Sequence, residues 1–412
     1  MAYHPTNLAQ IMLAKQGAWG TAASPSASDA TLVECEVVIP TLAQEALSTE
    51  AVRGDFHAHR MIAGSKEGVQ VSLKMPLHGW SSSTPSGNPG AGDVFVDSIL
   101  MEYALGGVEY GAVGFGQNPA SASVNTYAMT TGSDFAPGYA CLVDVDGTNA
   151  TYGAAFVASV SSDNVTWHTA VQGAAADPDA GVYGAINTYL TTGTPSVPLT
   201  MVYLGSDSTN KIVMYDGLVT SVKITAAPKQ QPTLEATIQF INWTLSGSGG
   251  GVSQYSYGLP LVPATIGANG ARYCHGGGTG SGATEKKLAN AEFEVAISYA
   301  PVMNHGSDQG VAQYVVTNRE VKQTTEEPLT AVSGSTVLAP GTEISNGIQL
   351  DLSTVPGRAC SILIPKAQVQ ELATLGDSDG IVSASYVYAP IQYTGDGGSS
   401  GPNDSLARVA FL

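Results

Sequence analysis

The stretch Glu34-Cys35-Glu36-Val37-Val38-Ile39 returns later in the chain as Glu292-Phe293-Glu294-Val295-Ala296-Ile297. Each copy lies in a segment whose apolar and β-branched residues predict a strand, residues 31–40 in the first case and 287–300 in the second. One similarity of six residues carries little weight, because short matches arise by chance. Its weight depends on whether other matching stretches follow in the same order.

Two further pairs do follow in that order. Gly68-Val69 is matched by Gly310-Val311, and Ile212-Val213-Met214-Tyr215 is matched by Ile362-Leu363-Ile364-Pro365. Three weak similarities in one order predict a duplicated domain. The separation between matching stretches shrinks along the chain, which predicts extra residues in the first copy, before its last stretch.

The duplication and the composition divide the chain into two predicted domains. Residues 1–246 form the first domain, with an inserted β-rich segment at about 110–198. Residues 247–270 form a Gly-rich linker that begins with Gly247-Ser248-Gly249-Gly250-Gly251. Residues 271–412 form the second domain.

The composition predicts an all-β fold with minor α structure. The chain has 412 residues, 48 of them Gly, and only 12% are charged. Many small residues and short β-branched runs are typical of all-β proteins, and residues 69–77 alternate with the period of a half-buried strand. Helices are predicted over 94–105, where Gly106-Gly107 would end the helix, over 366–373, and as a short piece at 8–15. Each domain would thus have about one helix.

The net charge of −18 limits the partners of this chain. No Lys or Arg occurs from residue 75 to residue 210, so this third of the chain has the wrong sign for binding phosphates. The acidity serves either solubility or a surface that must lie close to nucleic acid without binding it.

The four cysteines, Cys35, Cys141, Cys274 and Cys360, are far apart and form no C-x-x-C pair. We predict free thiols and a reducing folding compartment rather than a zinc site. The N-terminus lacks the pattern of a secretory signal. No run of about 18 apolar residues predicts a membrane-spanning helix.

A loop at residues 41–64 contains two patterns that deserve a functional reading. His57 and His59 alternate as metal ligands do in a strand, but only Asp55 stands near them, so an exposed loop is the better interpretation. Arg53-Gly54-Asp55 matches the cell-adhesion tripeptide, which recurs by chance.

The other chemical patterns are incomplete. Asp144-Val145-Asp146-Gly147 and Asp377-Ser378-Asp379-Gly380 resemble the start of a calcium loop but lack its later Gly and Glu, so both predict plain turns. No G-x-S-x-G elbow and no P-loop ending occurs. The sequence therefore predicts no catalytic residue, no metal and no cofactor.

These features together resemble the tail tube proteins (major tail proteins) of long-tailed, non-contractile bacteriophages. Gln16-Gly17-Ala18-Trp19-Gly20-Thr21-Ala22 is similar to the opening common in that family, and it leads to the strand at Glu34-Cys35-Glu36. The run Gly64-Ser65-Lys66-Glu67-Gly68 is similar to the family's long loop and return strand. Asn403-Asp404, followed by Ala407-Arg408-Val409-Ala410-Phe411, is similar to its ending.

The resemblance implies two tandem tube domains of the β-sandwich or barrel type. Three chains would then supply six tube domains to each ring, and rings would stack into a tube in the virion tail, assembled in the host cytoplasm. The tape measure protein and then DNA would pass through a lumen lined by acidic and small polar residues, with little or no Lys or Arg. Tail terminator and tail tip proteins are the other implied partners, without membrane insertion. The loop candidates for contacts between rings are Arg53, Asp55, His57, His59 and Arg60.

Two other classes of protein stay open. A phage decoration protein or an adhesin-like surface β-protein would share the composition but would not polymerise into tubes. A polysaccharide-active β-helix enzyme would need a regular short repeat and clustered carboxylates, and neither is visible.

Overall fold

A computed structural model describes most of the chain. The described residues are 10–23, 30–33, 35–36, 40–50, 59–79, 95–110, 119–123, 125–144, 152–169, 181–191, 198–204, 211–228, 230–246, 272–275, 284–304, 310–329, 337–353, 359–378, 380–393 and 405–411. The predicted linker at 247–270 lies outside them.

Within these ranges the protein is built from strands, with one α-helix, α1 (Val96–Leu105), and a short 3-10 turn at Gly132–Asp134. In chain order the strands are β1 (Gln10–Lys15), β2 (Ala30–Val33), β3 (Gln44–Glu50), β4 (His59–Lys66), β5 (Val69–Pro76), β6 (Gly106–Tyr110), β7 (Pro119–Ala122), β8 (Thr126–Met129), β9 (Ala140–Asp144), β10 (Tyr152–Ser161), β11 (Asn164–Trp167), β12 (Val182–Gly184), β13 (Ile186–Leu190), β14 (Leu199–Leu204), β15 (Lys211–Ala226), β16 (Thr233–Ser246), β17 (Arg272–His275), β18 (Thr284–Lys286), β19 (Asn290–Met303), β20 (Val311–Pro328), β21 (Glu343–Ile344), β22 (Ile348–Ser353), β23 (Cys360–Ile364), β24 (Ala367–Val369), β25 (Thr374–Ser378), β26 (Ile381–Pro390) and β27 (Arg408–Phe411). The all-β prediction with minor α structure is confirmed.

One strand order occurs twice. In the first half the order β2-β1-β14-β15 forms an antiparallel meander, and in the second half β18-β17-β22-β23 forms the same meander. The third matching pair of sequence stretches falls on the last strand of each meander, β15 and β23. Register pairs coincide as well, since Val202 faces Met12 and Val213 in the first half where Gln349 faces Cys274 and Leu363 in the second.

A long hairpin follows the first two strands of each meander. In the second half it consists of β19 and β20, in which Glu294 faces Lys322. In the first half β3 pairs with β4, and Glu36 donates its backbone N–H to the Lys74 carbonyl of β5 at 2.9 Å. The first matching pair, at Glu36 and Glu294, therefore lies at the same place in both hairpins. Gly68-Val69 and Gly310-Val311 do not, because Gly310 precedes β20 at the hairpin tip while Gly68 lies between β4 and β5.

The two halves share one continuous sheet of twelve strands. Its central order is β5-β16-β15-β19-β20-β26, and the joint between the halves is the antiparallel pairing of Ser221–Ala226 with Ala291–Ala296. Phe293 and Val295 are fully buried at this joint. The main core lies beneath this sheet, because alternate residues of β5, β16 and β19 point to it.

A six-stranded sheet, β12-β9-β10-β11-β8-β7, forms the body of the inserted segment around its own core of Tyr127, Trp167 and Val157. Two flanking strands, β6 and β13, extend a sheet of the second half through the pairing of β13 with β27. The strand order of that seven-stranded sheet is β18-β17-β22-β23-β27-β13-β6. The inserted segment of the first half is thereby fixed to the last strand of the second half.

The helix α1 confirms the prediction over 94–105. It ends where Gly106 adopts the left-handed φ of 98°, a conformation that costs glycine little because it lacks a Cβ. The two other predicted helices are wrong. Residues 10–15 form β1, which pairs with β14 on one side and β2 on the other.

Residues 366–373 are not helical either. Ala367–Val369 form β24 with alternating burial and pair with Tyr388–Pro390, so tertiary pairing prevails over local propensity. The prediction of about one helix per domain is therefore wrong for the described part of the second half. The expected long loop at 41–64 is instead largely the hairpin of β3 and β4.

Candidate functional site

The open face of the continuous sheet carries a row of alternating charges. Pairing places Lys74 beside Glu235, Glu235 beside Lys223, and Lys223 beside Glu294, which faces Lys322. The neighbours of these residues along each strand are buried in the core, so all five side chains point away from it. The row crosses the joint between the halves without interruption.

Each lysine of this row lies against a glutamate. The Nζ–Oε distances are 3.3 Å for Lys74–Glu235, 2.7 Å for Lys223–Glu292 and 2.8 Å for Lys322–Glu320. Hydrogen bonding to these glutamates raises the pKa of Lys223 and of Lys322. A lysine held in this way has less of its charge free for a phosphate group.

Short polar side chains flank the charged row on both sides. On one side Ser72, Thr237 and Ser221 lie next to one another across three strands. On the other side Thr233 and Thr225 face each other, followed by Glu292 and Thr324. The face is a broad polar wall without a concave site on its central rows.

The charges of this face come from outside the lysine-free part of the sequence. The stretch from residue 75 to residue 210 contributes α1, the inserted segment and β14, and not the central strands β15, β16, β19 and β20. The face therefore contains three lysines, each balanced by a glutamate.

The N-terminal motif has a structural role that the sequence did not reveal. Gln16 donates from Nε2 to the carbonyls of Ala18 and Thr21 and to Asp216 Oδ1, each at 3.0 Å. Gly20 donates its N–H to the same Asp216 oxygen at 2.8 Å. A tight turn is thus fixed to the middle of β15.

This turn also touches the second half of the chain. The Trp19 ring stacks on Tyr314 of β20 with centroids 6.5 Å apart, and Tyr299 donates its hydroxyl to the Val219 carbonyl at 2.7 Å. The motif therefore braces the hairpin of β19 and β20 where it leaves the sheet.

Exposed apolar side chains occur at the tip of the β19–β20 hairpin and at the β25–β26 hairpin, which pairs with the far end of β20. At the tip of the β19–β20 hairpin they are Val302, Val315 and Met303, the last 70% exposed. At the opposite end they lie on β25, on β26 and just before β25, where Leu372 is also 70% exposed, and the others are Leu375, Ile381 and Val382. Clustered exposed apolar residues commonly mark contacts with another molecule.

The predicted loop candidates lie mostly beyond the described residues. Arg53, Asp55 and His57 fall in the part left out. His59 and Arg60 begin β4, where their backbones face Glu50 and Thr49. The two histidines are therefore not placed together by the described structure.

Buried titratable groups link two sheets of the second half: His275 lies on β17 of the seven-stranded sheet, and Glu327 and Tyr388 lie on β20 and β26 of the continuous sheet. Tyr388 donates its hydroxyl to Glu327 Oε1 at 3.1 Å, and His275 Nε2 lies 3.8 Å from that oxygen. Burial raises the pKa of Glu327, and burial with the nearby charge of Lys286 lowers the pKa of His275 to about 4. The three side chains are thus fully or mostly buried.

The cysteines and turns follow the sequence interpretation. All four cysteines are free thiols, and Cys141, Cys274 and Cys360 are buried. The 377–380 pattern is a hairpin turn between β25 and β26, in which Gly380 donates its N–H to Asp377 Oδ1 at 2.7 Å. The 145–150 segment lies outside the described residues.

Among the described residues, no group of three His, Cys, Asp or Glu side chains could hold a metal ion. No helix among them has the length and apolar character needed to cross a membrane. The absence of catalytic and cofactor sites stays a prediction. The chain matches no protein-family model, and no curated protein is significantly similar to it in sequence.

A period-2 signal could have found the charged row. In residues 69–76, 233–240 and 291–297, charged or polar residues alternate with apolar ones, which assigns them to one face of a strand. Only the pairing register brings Lys74, Glu235 and Lys223 side by side.

Proposed function

We propose that this chain is a structural virion protein that polymerises into the tail tube of a long-tailed, non-contractile bacteriophage. The observation that carries the proposal is the continuous sheet, which runs through both halves with one buried face and one polar face. Such a sheet is suited to forming the wall of a channel once its ends meet those of other copies, because closure removes exposed strand edges.

The repeated strand order supports two tube domains in one chain. Each half has the same order of four strands, and in the chain a long hairpin lies between the first two of these strands and the last two. Three chains then fill six places in a ring, with pseudo-sixfold symmetry.

The polar face suits the inner wall of that channel. DNA binds proteins chiefly through free Lys and Arg that displace counterions from phosphates. On this face Lys74, Lys223 and Lys322 are each held by a glutamate, so the wall is polar and wetted but offers few cations to a passing polyanion. The tape measure protein and then DNA would pass it without specific binding.

The apolar ends suit the stacking of rings. The hairpin tip at Val302 and Met303 and the patch at Leu372 and Ile381 lie at opposite ends of the strands, so a tip-to-patch contact is head-to-tail. Contacts of this kind generate open polymers rather than closed dimers. The 41–64 hairpin, with Arg53, Asp55, His57, His59 and Arg60, is a second candidate for contacts between rings. Tail terminator and tail tip proteins would cap the ends of the tube in the virion.

The test is assembly of the purified full-length chain, followed by electron microscopy. We expect hollow tubes with three chains in each ring. A chain that stays monomeric and binds capsids would instead be a decoration protein, and six chains in each ring would mean that the second half is not a tube domain.

Two variants test the axial contacts. Val302→Asp combined with Met303→Asp should leave a folded monomer that forms no tubes, while Ser298→Asp, on the same strand away from the tip, should assemble normally. Deletion of residues 52–60 should likewise leave a folded monomer without tubes. Normal tubes from the double aspartate variant would exclude the tip as a stacking contact.

A further inference from the structure

The two halves fill the same sheet edge in different ways. On β15 the edge opposite β16 pairs with Ala291–Ala296 of β19 over six residue pairs. β24 follows β23 in the chain and corresponds to the second part of β15. Among the described residues, its edge opposite β26 pairs only with Glu343 and Ile344. The same position is thus held by a long strand in one half and by a two-residue strand in the other.

The short strand is attached less extensively than β19. Beyond its two register pairs, Gly341 donates its N–H to the Val369 carbonyl at 2.9 Å, Val369 donates to the Thr342 carbonyl at 3.0 Å, and Gln368 donates from Nε2 to the Gly341 carbonyl at 3.1 Å. The Lys366–Glu343 ion pair at 3.3 Å is partly exposed, and such pairs contribute little. Val337, Leu338 and Ile344 pack against the main core but are only partly buried, whereas Ala291, Phe293 and Val295 of β19 are buried.

Glycine turns lie on both sides of the short strand. Thr342 donates its N–H to the Ala339 carbonyl in a turn with Gly341 at φ 83°, and Gly347 donates to the Ile344 carbonyl with φ 79°. A segment between two turns that has a few hydrogen bonds and only partly buried side chains is of the kind that opens locally.

From this comparison we infer that Gly341–Ile344 is a removable strap that covers the pairing edge of β24 in the free chain. The occupant that replaces it is a second copy of this chain, through the segment at Cys35 and Glu36. That segment corresponds to Phe293 and Glu294, because Glu36 is bonded to Lys74 as Glu294 is paired with Lys322. The inference rests on the proposed ring and adds how its chains join.

The internal joint fixes the register of the joint between chains. Lys223 faces Glu294 within the chain, and the residue in the place of Lys223 is Gln368, which now faces Glu343. Gln368 of one chain therefore comes to face Glu36 of the next. The strap keeps free chains from pairing at this edge, since exposed edges promote uncontrolled association.

Two cysteine pairs that share Gln368→Cys test the exchange. Glu343→Cys with Gln368→Cys locks the strap, because strand partners are close enough for a disulfide. We expect the oxidised variant to form at least about tenfold less sedimentable polymer than wild type, since the competent state is removed, and reduction to restore assembly. Thr225→Cys with Thr233→Cys, partners across a hairpin inside the first half, is the control and should assemble in both redox states.

Glu36→Cys with Gln368→Cys reads the assembled state. Oxidised tubes of this variant should give chains crosslinked into covalent trimers on a non-reducing gel. Normal assembly of the locked variant, or tubes without a crosslink between chains, would overturn the strap. If wild type forms no tubes at all, the proposed function itself fails and the strap with it.

Discussion

The first half of the chain keeps its strands whole where the second half breaks them. β15 and β16 are each one long strand. In the second half the counterpart of β15 is split into β23 and β24, and the counterpart of β16 is split into β26 and β27, which lie in two different sheets. The break after β23 falls at Pro365, and the corresponding part of β15 holds Asp216 at a φ of 58°. One strand order is thus compatible with a continuous sheet and with two separate layers.

The same position can also be filled by opposite chemistry. Met12 and Val202 form an apolar pair in the first half, whereas Cys274 and Gln349 pair at the matching place. Gln349 is buried and donates to Asp351 at 2.8 Å, and Asp351 also accepts from Ser361 and forms a buried ion pair with Arg272, with an Nε–Oδ2 distance of 2.6 Å. The comparison teaches that strand order tolerates either solution if every buried polar group has a partner.

The largest effect should come from the joint between the halves. Phe293→Ala empties a fully buried site and should lower the free energy of unfolding by about 4 kcal/mol. Ile344→Ala in the strap should cost about 1 kcal/mol or less, because this residue is only partly buried. Urea titrations compare the two variants, and equal losses would contradict the difference between the two edges.

The ion pair tests whether this part of the second half tolerates apolar residues, as the first half does. Asp351→Val leaves Arg272 buried without its carboxylate and should cost about 3 kcal/mol. Adding Arg272→Met replaces the ion pair by two apolar side chains and should recover at least about half of that loss. A double variant that is less stable than Asp351→Val alone would show that the apolar solution does not transfer.

The turn at Gln16 depends on Asp216, which follows Tyr215, the match of Pro365 in the second half. Asp216→Ala removes the acceptor for Gly20 and Gln16 and the partner of Asn242 at 2.7 Å, and we expect a loss of about 2 kcal/mol. Asp216→Asn keeps an acceptor and tolerates positive φ, so its loss should be smaller. Thermal unfolding ranks the two, and a greater loss for Asn would mean that charge rather than backbone geometry governs the site.

The smallest effect should be the pH dependence that His275 and Glu327 contribute. The pKa of His275 is lowered from 6.5 to about 4, so its contribution to stability is complete above pH 6.5 and is lost as the pH falls through about 4. The pKa of Glu327 is raised, so its contribution has the opposite sign: it is complete below 4.5 and is lost as the pH rises.

His275→Gln should remove the first contribution, so that stability falls less than in wild type on acidification from pH 6.5. Lys15→Gln, on β1 of the first half, is the control and should keep the slope of wild type. Denaturant titrations across this range measure both slopes, and an unchanged slope in His275→Gln would exclude the histidine as the titrating group.

Local patterns predicted some elements well for physical reasons. The alternation of Val69, Val71, Leu73 and Met75 predicts β5 because a strand needs only one buried face. The helix α1 was predicted because its apolar residues follow helical spacing and Gly106 ends it. Residues 10–15 and 366–373 were assigned wrongly because short apolar runs fit a helix or a strand equally, and pairing with β14 or β26 decides between them.

By itself the sequence determined the all-β class, the free thiols and the order of the matching stretches, since these depend on composition and local period. The tertiary structure alone decided that Lys74, Glu235, Lys223, Glu294 and Lys322 form one row, and that a two-residue strand covers β24. Both depend on the register between strands far apart in the chain. Register is set by which apolar faces can be buried together, and that is a property of the assembled core.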